Sequence, residues 1–263
     1  MSRLGFVASV GMFTTLPVPP VDDVDRRLAS RLMAWFPATG AVVGACAGFV
    51  ALGPFALGLP LLGAALGAAA QAYVTGALHL DGVADTADGL GSRRPPEEGL
   101  AIMKRSDIGP MGVAALVLVL LLQVTALVEV GSALPWWWAA AVFVAAGAVA
   151  RVPVLFATTP GQPNVRPGGF GALFHGVTSR GTAALVAVLV GVCVGLLGWL
   201  AAGWPGGAGA LGAVAAALVV GWAWQRRLHR HFGGMTGDLF GSIIEITQTA
   251  FLVFAAILAA VLS

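Results

Sequence analysis

Apolar runs long enough to cross a bilayer recur along this chain, and they decide what it can fold into. A hydrocarbon core about 30 Å thick takes about 20 apolar residues as a helix, because every backbone N–H and C=O must be bonded within the segment. Seven stretches have that character, at about 38–57, 60–80, 109–129, 136–157, 182–203, 207–224 and 241–262. The first two join at a tight turn at Leu59-Pro60; the first is weakened by its glycines and Pro54, and 207–224 is the shortest. Of 263 residues, 58% are apolar and 10% charged, against roughly 25% charged in an ordinary soluble domain. Neither a water-soluble globule nor a disordered chain fits that balance. The expected fold is all-α: a polytopic helical membrane protein of about seven transmembrane helices, one integral-membrane domain over 1–263.

Charge placement supports the same count, because Lys and Arg collect in cytoplasmic loops. Arg3, Arg26, Arg27 and Arg31 precede the first span, and Arg93, Arg94, Lys104 and Arg105 follow the second. Arg166 and Arg180 follow the fourth span, and Arg226, Arg227 and Arg230 follow the sixth. Seven crossings put all of these on one face, with the N-terminus inside and the C-terminus outside. Trp136, Trp137 and Trp138 read as an interfacial anchor on the outer side. Residues 4–16 are too short to span and lack a convincing cleavage site, so they read as an interfacial or re-entrant helix. Cys46 and Cys193 lie in apolar segments and read as small buried hydrophobes. The net charge of +2 is too mild to imply nucleic acid. The oligomeric state stays open, a homo-oligomer included.

The chemistry concentrates in two acidic segments. Asp81, Asp85 and Asp88 stand at i, i+4 and i+7, one face of a helix over two turns, about 10 Å of axis. Three like charges on one stripe repel, and a cation relieves them. Mg²⁺ or Mn²⁺ suits hard carboxylate oxygens and leaves positions open for substrate phosphates. The plainer reading is a solvated acidic loop ending a span; the scarcity of acids, twelve in the chain, favours the metal site. An EF-hand calcium loop is absent. His79 precedes the first aspartate as a candidate base or ligand. Asp238 and Glu245, again i and i+7, open the last span, and an ionisable group inside an apolar helix is a functional candidate by default. Both stripes belong to the cytoplasmic face, so one active site there can gather Asp81, Asp85, Asp88 and Asp238 as metal ligands, with His79 and Glu245 beside them. Arg151, inside a span, is the leading substrate-binding cation, and Lys104, Asn164 and Arg166 are further candidates for phosphate contact. The segment 162–169 reads as a flexible loop able to cover a ligand, without the Gly-Lys-Ser/Thr ending of a P-loop. Metal-assisted phosphoryl-group transfer fits these groups best. A transporter would place acids near the middle of several spans, and here nearly all lie at one edge.

The string Gly76-Ala77-Leu78-His79-Leu80-Asp81-Gly82-Val83-Ala84-Asp85-Thr86-Ala87-Asp88-Gly89-Leu90-Gly91 resembles the signature of the cobalamin synthase family, the adenosylcobinamide-GDP ribazoletransferases. Segments 13–19, 35–40, 102–109 and 236–245 match the same family in order, so the resemblance covers essentially the whole chain. It implies a bacterial cytoplasmic-membrane (inner-membrane) enzyme that joins α-ribazole, or its 5′-phosphate, to adenosylcobinamide-GDP with release of GMP and a requirement for Mg²⁺. Carried over, Asp81, Asp85 and Asp88 bind Mg²⁺ and the diphosphate, and Asp238 and Glu245 complete the site or orient the incoming ribose hydroxyl. The chain departs from the family pattern at Thr15, where an Arg often stands. It departs again at Lys104-Arg105-Ser106-Asp107, where Lys-Asp-Ser-Arg is usual, and at Gln248, where a Glu is frequent. CDP-alcohol phosphotransferases and prenyltransferases also hold a pyrophosphate through Asp-rich motifs, with aspartate spacings that 81–88 does not reproduce.

Overall fold

The computed structural model describes residues 2–21, 23–162 and 170–262. Ten helices follow in order: α1 (Arg3–Phe13), α2 (Arg26–Ala56), α3 (Pro60–Val74), α4 (Leu78–Gly91), α5 (Pro96–Ile102), α6 (Pro110–Ala133), α7 (Trp136–Ala157), α8 (Phe170–Phe174), α9 (Arg180–Phe232) and α10 (Gly237–Leu262). Among the described residues there is no strand. Helices α2, α6, α7, α9 and α10 are each long and apolar enough to cross a membrane, and α3 with α4 meets the same measure only as a pair bent by 90°, the shape of a broken span or a re-entrant loop. Helix α9 breaks at Ala202 and at Gly203, whose φ of 61° and ψ of −152° suit glycine alone. The arms 180–201 and 204–232 fold back on each other, so that Gly198 meets Gly206 across them. With α9 counted as two arms, the long apolar helices among the described residues supply six passes, and the bent pair of α3 and α4 is the candidate for a seventh.

Two expected boundaries move. The second span is not one rod over 60–80: α3 stops at Val74, and α4 sets off at a right angle. The first begins at Arg26 rather than near residue 38, capped by the Asp25 side chain, which accepts from Leu28 N at 2.7 Å. Its first turns are amphipathic, with Leu28, Leu32, Met33 and Phe36 buried and Arg26, Arg27 and Arg31 exposed, so hydropathy alone does not register them. Residues 3–13 form the expected short helix, packed on α2. Both cysteines are free; Cys46 is half-buried and Cys193 is exposed, not buried as its setting suggested.

Small residues let the central pair close up. A Cβ on Gly40 would collide with the Gly147 carbonyl and with Arg151 Cδ, and Gly44 sits against the Phe143 carbonyl in the same way. In lipid, helix association rests on such close packing because no hydrophobic drive acts between helices. Outward faces carry Phe49, Leu185, Leu200, Trp204 and Val219, all exposed, a surface suited to acyl chains and unsuited to water. Antiparallel alternation gathers the basic residues flanking α2, α4, α5, α9 and α10 at one end of the bundle. Contacts there link Gly99 to Phe232 and Gly171 to Thr236. Gly147→Ala is expected to lower the thermal midpoint in detergent clearly, since the facing atoms are backbone and cannot yield, whereas Gly53→Ala, facing open space, leaves it nearly unchanged. A scanning-fluorescence melt of the two variants distinguishes them.

Candidate functional site

The acidic helix α4 exists because the chain breaks at Thr75-Gly76-Ala77. Gly76 and Ala77 both take positive φ, 59° and 57°, and the break frees the last carbonyls of α3. Thr15 serves them from the far side: its N–H donates to Val74 O at 2.7 Å, and its hydroxyl lies 3.2 Å from Tyr73 O. The redirected helix brings Gly82 onto the Asp238 carbonyl and His79 onto Gly241 of α10. The two acidic segments therefore meet. Asp85 lies in the electrostatic field of Asp81, Asp238 and Asp88 together, and Asp81 is exposed while the other three are half-buried. Among the described residues neither Asp81 nor Asp85 has an ion-pair partner.

Asp88 has another occupation. Its Oδ2 accepts from Gly109 N at 2.7 Å and its Oδ1 from Gly112 N at 2.8 Å, so both oxygens satisfy orphan donors at the N-terminus of α6. A carboxylate bound in this way also complements the positive end of the helix. Of the three aspartates expected to bind the metal, Asp88 is the one that also anchors α6 to α4. Among the described residues no three His, Cys, Asp or Glu side chains converge closely enough to hold an ion in the present geometry. Asp81, Asp85 and Asp238 supply the hard oxygen donors that a divalent ion accepts.

Behind the rim lies a buried polar network that links five helices. Gln123 of α6 donates to Glu245 Oε2 at 2.8 Å and to the Thr249 hydroxyl at 3.0 Å, and Gln71 of α3 donates to Gln248 at 2.6 Å. His79 Nδ1 stands 4.0 Å from the other oxygen of Glu245, and its Nε2 has no partner. Arg151 of α7 is fully buried; one nitrogen donates to Gly147 O at 2.8 Å, its guanidinium lies 5.5 Å from the centre of the Phe36 ring, and Nε and the second terminal nitrogen are unpartnered. The charges of Arg151 and Glu245 attract across the bundle. Arg151, expected to bind substrate, does not line the cavity described next; it lies inside the protein as a countercharge to Glu245. Sequence reasoning passed over Gln71, Gln123 and Thr15; a lone Gln within an apolar span is the signal that could have found the first two.

A cavity of about 310 Å³ opens beside the aspartates. His79, Thr236, Asp238 and Gly241 lie on its wall, and the remaining lining is mainly apolar, from α1, α2, α8 and α10. Lys104 is exposed in the turn after α5, away from this lining. Asn164, Arg166 and the rest of the expected covering loop from 163 to 169 lie outside the described residues.

The architecture is that of a polytopic helical membrane protein with an acidic centre and an adjoining cavity at the end of the bundle where its basic residues collect. Residues 5–256 match the model of the cobalamin-5-phosphate synthase family, and the chain belongs to that family. It is 38% identical to the adenosylcobinamide-GDP ribazoletransferase of Frankia casuarinae, with 93% of this chain and 91% of the relative covered. It is 36% identical to the enzyme of the same name from Geotalea daltonii, with 94% of each covered, and 33% identical to that of Brevibacillus brevis, with 94% and 95% covered. No solved structure matches the chain.

Two stability results follow from the geometry. Asp88→Asn removes one acceptor from two charge-assisted bonds, a loss of about 1.5–3 kcal/mol, so its unfolding midpoint falls, whereas Asp81→Asn relieves repulsion and leaves the midpoint equal or higher. Arg151→Met removes the hydrogen bond to Gly147 O and the guanidinium beside the Phe36 ring and lowers the unfolding midpoint; a double-mutant cycle with Glu245→Gln in denaturant measures how strongly the two charges are coupled.

Proposed function

We propose that this protein is an adenosylcobinamide-GDP ribazoletransferase, joining α-ribazole or its 5′-phosphate to adenosylcobinamide-GDP with release of GMP, at the cytoplasmic face of a bacterial inner membrane. Its N-terminus is cytoplasmic, a reading supported by the cations that flank one end of the bundle. The observation that carries the reaction is the meeting of Asp81 and Asp85 with Asp238 in a chain matched to this family along nearly its whole length.

Asp81, Asp85 and Asp238 are the residues that would hold Mg²⁺. When bound, Mg²⁺ neutralises the diphosphate and stabilises the departing phosphate. The incoming ribose hydroxyl attacks the phosphorus that carries the cobinamide. A new P–O bond forms, the P–O bond to GMP breaks with its electrons leaving on GMP, and the hydroxyl proton passes to the protein. His79 is placed to receive that proton: it lines the cavity, its Nε2 has no protein partner, and Glu245 stands behind Nδ1. A base oriented by a third group is the recurring arrangement for activating a hydroxyl, and such hydrogen bonds are often long before substrate binds. Exposed rim arginines are the pool from which phosphate contacts are drawn.

Purified protein supplied with both substrates and Mg²⁺ is expected to release GMP. Asp85→Asn should slow that release by about 10²–10³, the scale of several kcal/mol of charge stabilisation. Chelation should stop it and added Mg²⁺ restore it. A folded preparation that makes no GMP overturns the substrate assignment, and turnover indifferent to chelation removes the ion while leaving the substrates in place.

A further inference from the structure

We infer that the cavity beside the aspartates seats the aromatic base of the incoming nucleoside and selects it by its apolar character. The inference rests on the proposed reaction. At about 310 Å³ the cavity lies at the small end of ligand pockets, which run to ~1,000 Å³: room for a flat bicyclic base with part of its sugar, and too little for a corrin macrocycle. Its walls are Met33, Phe36, Phe174, Phe240 and Met235, and thioether sulfur and aromatic rings are the surfaces on which a planar π-system packs.

The few polar groups lie where the rest of a nucleotide-like substrate must pass. His79 is 3% exposed and has an unpartnered Nε2, and Asp238 joins the same wall to the acidic rim. Base, ribose and reacting phosphorus thus line up in order: apolar chamber, His79, aspartates. The Thr236 hydroxyl is already engaged, accepting from Leu239 N at 3.4 Å. Guanine, the other base in the reaction, carries a polar edge, and the polar side chains on these walls are His79, Asp238 and the engaged Thr236, which this order assigns to the ribose and the reacting phosphorus; a polar edge left among the apolar walls is rejected. A methylated benzimidazole such as that of α-ribazole has no such edge. The chamber therefore separates the two nucleosides, holding the acceptor's base inside and leaving the guanosine of the donor outside.

Steady-state GMP release on the full-length protein, with each substrate varied in turn, tests this. Ala172→Leu intrudes into the cavity from α8, and the KM for α-ribazole should rise by about tenfold or more, while the KM for adenosylcobinamide-GDP stays within about twofold. Met33→Ala widens the chamber, and kcat/KM for a nucleoside with a larger, naphthalene-fused imidazole base should rise several-fold relative to α-ribazole. Should Ala172→Leu fail to fold, the Met33→Ala comparison decides by itself. Movement of the adenosylcobinamide-GDP KM instead, or no change in either substrate, overturns the assignment while wild-type turnover keeps the reaction intact. No GMP from the wild-type protein overturns the reaction, and the assignment with it.

Discussion

A helix that breaks frees backbone groups from their ladder, and the site depends on how this chain answers that constraint. At Thr75-Gly76-Ala77 the α3 ladder ends, and each freed carbonyl is met by protein: Thr15 serves Tyr73 and Val74, Ala77 N–H turns back to Ala72 O at 2.7 Å, and the Thr75 hydroxyl returns to Gln71 O. Here the segment after α1 is the cover. Without it α3 has reason to continue straight, and the aspartate stripe would leave the bundle instead of crossing onto α10. The short N-terminal helix, which neither spans nor carries charge into the site, is thus coupled to the chemistry through main-chain bonds.

Two electrostatic settings adjoin without merging. At the rim, like charges share a partly exposed space, where the high dielectric keeps a close pair near 1 kcal/mol; at an effective dielectric of 20 the same pair approaches ~4 kcal/mol. Inside, where repulsion of that size would not be tolerated, the bundle holds opposite charges, Arg151 and Glu245, with the Gln123 amide of α6 donating to the carboxylate. Glu245 and Asp238 are on one helix two turns apart, one in each setting. Helix α10 therefore carries the boundary between them, and His79 is the group from α4 that touches it.

The sequence made the aspartate stripe legible because i, i+4, i+7 spacing is a local property of a helix, and it made the α9 hairpin legible because Gly203-Trp204-Pro205-Gly206 interrupts two apolar runs. It did not show the right-angle break, since 60–80 is mainly apolar and Gly76 alone does not distinguish a kink from a packing glycine. Nor did it show what Asp88 does. A carboxylate on a stripe of three looks like its neighbours, and only the arrival of Gly109 and Gly112, twenty-one and twenty-four positions on, sets it apart. Arg151 is a related case: a cation in a span announces importance, but whether it meets substrate or an internal acid is decided by which helix packs against it.

The division of roles along the aspartate stripe has a mechanical consequence. Because Asp88 ties α4 to α6 at one end and Gly82 locks α4 onto the α10 backbone near the other, Asp81 and Asp85 project from a helix held on both sides. Their carboxylates retain rotamer freedom while their Cα positions are fixed. A divalent ion demands near-ideal oxygen geometry and dehydrates reluctantly, which favours donors that can adjust.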